Sequence, residues 1–172
     1  MRPSTRAARR VSRDLRTGRG AAVEARRRSA AWSLGASAIL GFLSLYQLGL
    51  IRRLPDPPLS WIDSTRVDGS GEAYWILSAA DAPIGVWSFA LTAALAGAGE
   101  ADRARRRPWI TLAWAAKTHI DAGYGLLLAL EQPARYRKAC IYCLGVTACA
   151  VASARASRPD GRAAWQTMRG RR

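Results

Sequence analysis

Four apolar blocks, at residues 30–51, 82–99, 108–130 and 139–154, stand between stretches crowded with arginine, and together they point this chain to a membrane-spanning fold. The first block, AAWSLGASAILGFLSLYQLGLI, holds 22 residues. As a helix it spans about 33 Å, enough for a hydrocarbon core of about 30 Å. A cleaved signal peptide has an apolar core of about 7–15 residues, so this block reads as a span. The second block, of 18 residues, is just long enough, and the third opens on Pro108, which suits a first helical turn. The fourth has 16 residues and is expected to borrow a turn or thin the bilayer. A mean hydropathy of −0.09 would by itself suggest a soluble protein. That average conceals the segregation of charge from apolar residues.

The charge then sorts the segments. Of 27 basic residues, 25 are arginine. Residues 1–29, 100–107 and 155–172 carry 20 of them, against 6 in residues 52–81 and 131–138. Basic residues accumulate on the cytoplasmic side, so the expected fold is an all-α, four-transmembrane-helix bundle with both termini inside. Residues 1–29 read as a flexible basic arm, 52–81 as a Pro-, Asp- and Gly-rich outer loop, and 155–172 as a basic cytoplasmic tail. Trp32 and Trp109 fall at the cytoplasmic interface. The arginine excess is assigned to topology and anionic lipid, with no nucleic-acid partner. The expected location is the inner membrane of a bacterium, crossed several times.

Cys140 and Cys143 open the fourth block in Ala-Cys-Ile-Tyr-Cys-Leu-Gly. A spacing of three sets both sulfurs on one face of a helix, near enough for a disulfide. The positive end of the helix dipole and the neighbouring Arg137 and Lys138 would favour thiolate. Cys140 reads as the more exposed sulfur and Cys143 as the deeper one. Two small buried cysteines packing a helix contact are the competing reading. Cys149, about 120° round the helix from Cys143, reads as helix filler. Three cysteines and one histidine exclude zinc sites of four cysteines, or of two cysteines and two histidines, and no metal is expected.

Lys117, His119 and Asp121 sit mid-block in the third span. A charge at the bilayer centre costs about 2.5–3.5 kcal/mol on insertion scales, so it needs a partner or a task. Lys117 and Asp121 are four apart and can pair, or can form a polar patch toward a quinone carbonyl. His119 points elsewhere and reads as a hydrogen-bonded packing residue. Gly123 and Gly125 permit close helix contact.

Residues 33–154 resemble the vitamin K epoxide reductase family: four spans, a long first outer loop, and Cys-Ile-Tyr-Cys-Leu opening the fourth span. The segment Ala73-Tyr-Trp-Ile-Leu-Ser78 and the following Ala82-Pro-Ile-Gly85 are similar to the family's loop helix and second-span entry. The resemblance implies a bundle around a quinone pocket, with Cys140 and Cys143 exchanging electrons with ubiquinone or menaquinone. It implies Asp81, Lys117, Asp121 and Thr147 as candidate quinone contacts, Ser78 as the loop serine, and a thioredoxin-like thiol protein outside the membrane as partner. Cys140 would form the mixed disulfide with that partner, and Cys143 would pass electrons to the quinone. Two features depart from the pattern. No cysteine occurs in 52–81, where the family usually carries a shuttle pair, and Thr147 replaces a common tyrosine. A non-enzymatic scaffold that binds a partner or a quinone is therefore the alternative.

Overall fold

The computed structural model describes residues 3–75 and 78–170. Ile76 and Leu77, within the loop segment matched to the family, and the two residues at each terminus lie outside the described residues. The helices are α1 (Pro3–Thr17), α2 (Ala21–Gln47), α3 (Ser64–Asp68), α4 (Asp81–Gly97), α5 (Arg103–Arg106), α6 (Pro108–Tyr136) and α7 (Ile141–Arg169), with a 3₁₀ turn at Gly71–Tyr74. Among the described residues there is no strand, only an isolated parallel bridge between Ile62 and Ala139. The chain is all-helical, as its pattern predicts.

Each apolar block falls largely within one helix, but α2 begins well before its block, and α6 and α7 run on past theirs. Helix occupies Pro3–Thr17, where a flexible arm is expected, and α2 already begins at Ala21. Between them Gly20 takes a φ of 143°, which a side chain would strain. Alanine and arginine are strong helix formers, and adding a residue to an existing helix costs little. For the same reason α7 continues through the expected tail to Arg169, carrying Pro159 inside it. Helix α6 runs through Pro133 and stops where Arg137 turns left-handed, at a φ of 54°. By length and composition, α2 is the one helix among the described residues able to cross a membrane; α4 has 17 residues.

Helix α2 packs on α4 and α7, and α6 packs on α7, while α4 and α6 meet only sparsely. Small side chains bring the helices close: Ala36, Ala122, Ala150 and Ala154 are buried together with Phe89 and Cys149. Hydroxyl pairs tie the seams, with Ser29 and Ser153 at 2.7 Å and Thr118 and Ser157 at 2.8 Å. The fully buried Trp114 donates its indole N–H to Ser29 at 3.1 Å.

Two arginines counted toward topology have a structural task. Arg26 and Arg103 are buried and donate to the backbone carbonyls that end α4. Arg26 reaches the oxygens of Ala96, Ala98, Gly99 and Glu100 at 2.8–3.1 Å, and Arg103 those of Leu95 and Ala98 at 2.6 Å. These carbonyls lie at or just past the C-terminal end of α4, where donors within the helix run out and cations suit the negative end of its dipole. Arg103 also lies over the Trp114 ring, 4.7 Å from its centroid.

Candidate redox site

The loop between α2 and α4 is sewn to the start of α7. Ala139 donates its N–H to Trp61 O at 2.9 Å, Asp63 donates to Ala139 O at 3.1 Å, and Ile141 donates to Ser64 Oγ at 3.2 Å. Asp63 caps α3 by accepting from the Arg66 N–H at 2.9 Å. This docking carries Asp68, at the far end of α3, onto the two cysteines.

Cys140 is the N-cap of α7, and its sulfur accepts the Cys143 N–H at 3.3 Å. Its own N–H donates to Gln132 Oε1 at 2.8 Å. The Cys140 thiol donates to Asp68 Oδ2 at 2.8 Å; the Cys143 thiol lies 3.6 and 3.9 Å from the two carboxyl oxygens. One carboxylate oxygen and both sulfurs thus lie within 4.8 Å of one another. All three cysteines are free thiols.

The exposures of the pair are the reverse of the sequence expectation. Cys140 has 0 % of its surface exposed, because Asp68, Ser64 and Gln132 close over it, whereas Cys143 is only partly buried. The neighbouring cations do not reach the sulfurs either. Arg137 is exposed, and Lys138 donates to the Ser60 carbonyl. The charge against the sulfurs is a carboxylate, and burial, with Asp81 and Asp56 nearby, raises the Asp68 carboxyl to about 6.

Where α4 and α6 part, a cleft of about 190 Å³ opens. Its walls include Leu43, Ile84, Phe89 and Leu128, and Cys143, Asp68, Asp81, Asp121 and Thr147 line it as well. Apolar walls with a few convergent polar groups suit a flat, mostly apolar ring. Thr147 Oγ1 donates within its own wall, toward Cys143 O at 2.8 Å and Gly125 O at 3.1 Å. Asp81 accepts from Gln47 Nε2 at 2.7 Å.

Four sequence candidates therefore meet at one cleft: Cys143, Asp81, Asp121 and Thr147. Cys140 stands behind Cys143. Lys117 is not among the lining residues; its ammonium lies 2.5 Å from Asp121 Oδ1 and 2.8 Å from Ser88 Oγ. Ser78 is exposed, has a φ of 54°, and does not line the cleft. His119 is exposed and accepts from Arg158 Nε at 3.3 Å. Cys149 is buried in the helix core.

Sequence reasoning missed Asp68 and Gln132. Neither belongs to a motif, and each reaches the cysteines only through docking of the loop or the last turns of α6. No curated protein and no solved structure matches the chain. A model of the vitamin K epoxide reductase family matches residues 29–156, which takes in most of α2, all of α4 and α6, the first half of α7, the loop between α2 and α4, and both paired cysteines. The chain belongs to the vitamin K epoxide reductase family, whose members are membrane-associated oxidoreductases.

Proposed function

We propose that this protein is a four-span membrane oxidoreductase that couples Cys140 and Cys143 to ubiquinone or menaquinone and supports disulfide formation outside a bacterial inner membrane. The observation that carries the reading is the position of Cys143, one turn into α7 and on the wall of an apolar cleft, with Cys140 directly behind it. The quinone is the oxidising substrate. Two thiols become one disulfide, and two electrons and two protons pass to the quinone. Asp81, Asp121 and Thr147 supply the polar edge of the cleft. Lys117 holds Asp121 rather than contacting the ring.

Large apolar side chains exposed on the long helices, among them Leu34, Trp87, Leu91, Ile120 and Leu127, support burial in lipid. The arginine bias supports an inward N-terminus and C-terminus. Reporter fusions after residues 29, 104 and 160 are expected to read cytoplasmic, and fusions after 65 and 134 external. An external C-terminus would move the cysteines to the reducing side and remove the basis for an oxidising role.

Because Cys140 is enclosed, a thioredoxin-like partner from outside reaches it only when α3 lifts, or else exchanges at Cys143. The decisive experiment uses the full chain in vesicles, with a reduced thioredoxin-like protein as donor and ubiquinone or menaquinone as acceptor. Wild type and Cys149→Ala are expected to reduce the quinone, and Cys140→Ala and Cys143→Ala to fall to background. The enclosure of Cys140 and the absence of loop cysteines favour the scaffold alternative. That reading prevails if wild type reduces neither quinone and both paired cysteines stay thiols in the native membrane.

A further inference from the structure

We propose that Asp68 is the proton acceptor of the cysteine pair, taking the Cys140 thiol proton as that sulfur becomes the nucleophile that closes the disulfide. This rests on the thiol–disulfide reading above and adds the group that makes it chemically possible. A thiol must lose its proton before it attacks, and a sulfur with 0 % exposure cannot give that proton to bulk water. The Asp68 carboxylate accepts the Cys140 S–H at 2.8 Å. Asp68 also lines the cleft, so one carboxyl touches both the buried thiol and the space where the oxidant would sit.

The step balances. The Cys140 S–H bond breaks and its proton moves to a carboxyl oxygen of Asp68. The freed lone pair forms the S–S bond with Cys143 as that sulfur surrenders two electrons to a quinone in the cleft. The quinone becomes a hydroquinone by taking two protons, one returned by Asp68 and one from the Cys143 thiol, and Asp68 is a carboxylate again.

The surroundings tune it for that task. The groups facing Asp68 are Tyr46 of α2, Asp56 of the loop, Asp81 of α4, Glu131 and Tyr136 of α6, and the two thiols, all of them neutral or acidic. Burial among them raises the carboxyl to about 6. A general base works best when its pKa lies near the operating pH, and a carboxyl near 6 stands closer to neutrality than one at its ordinary 3.8.

The test removes the quinone from the experiment. Purified full-length protein in detergent is oxidised by diamide across a pH series, and the Cys140–Cys143 disulfide is read by mass after alkylation. Asp68→Asn keeps an acceptor oxygen but cannot hold the proton. It is expected to slow oxidation about tenfold or more near pH 6.5, with the loss shrinking as hydroxide rises, and Asp68→Glu is expected to recover most of the rate. Three results would overturn the proposal: an unchanged rate and pH profile in Asp68→Asn, a faster rate from removal of a repelling anion, or an equal, pH-independent loss in both variants. Since diamide replaces the quinone, a wild type that never reduces quinone sinks the proposed function and leaves this result standing.

Discussion

Lys117→Met and Asp121→Leu are each expected to destabilise the folded chain by about 3–5 kcal/mol, and the double substitution to cost much less than their sum. The pair is partly enclosed, with 21 % and 10 % of the two side chains exposed before any lipid is added. Asp121 also accepts from Thr92 Oγ1 at 2.9 Å, and Lys117 donates to Ser88 Oγ at 2.8 Å. The four residues form one network that joins α4 to α6 beside the cleft. Removing either charge leaves the other in apolar surroundings with hydroxyls that cannot neutralise it. Removing both leaves a slot that hydrophobic side chains can fill. Folded yield in membranes and thermal unfolding in detergent measure the cycle. Additive losses would mean that the two charges answer to different partners.

Asp68→Asn is expected to stabilise the chain above pH 6 by about 2–3 kcal/mol, although the same change is expected to slow its chemistry. The carboxyl stands at about 6 in the folded state against an ordinary 3.8. Between those values the folded state holds its proton more firmly than the unfolded chain does. Wild-type stability therefore falls as pH rises from 3.8 to about 6 and stays at the lower level beyond. Asparagine carries no charge to bury, so its advantage is present at neutral pH and fades as pH drops through that window. Unfolding temperatures near pH 4 and near pH 7.5 measure the gap. An advantage that persists undiminished at the lower pH would mean that burial of the charge is not what raises the carboxyl.

The parts of this protein legible from local pattern are those with short-range causes. Apolar blocks long enough to make several turns became the cores of α2, α4, α6 and α7. A spacing of four predicted the Lys117–Asp121 contact, because residues one helical turn apart are neighbours on any helix surface. The cysteine spacing worked differently: Cys140 stays just outside α7 as its extended N-cap residue, and its sulfur accepts the N–H of Cys143 in the first turn. Helix ends were less legible, since Arg-rich flanks propagate a helix as readily as the apolar blocks they adjoin. Helix α1 and the start of α2 thus lie within the expected arm, and α7 runs on through most of the expected tail.

What the local pattern could not supply is everything that depends on the loop between α2 and α4. Which of the two sulfurs is enclosed depends on where α3 docks, and that docking rests on a few backbone hydrogen bonds between Trp61, Asp63 and Ala139. The sequence by itself determined a helical chain of four apolar blocks with a cysteine pair at a helix start, because composition and the 1.5 Å rise per residue act locally. Only the tertiary structure decided that Asp68, 72 residues before Cys140, closes over it, and that Arg26 and Arg103 cap α4 instead of lying in solvent. Contacts across such separations are set by how helices and loop pack against one another. No periodicity in the chain records that register.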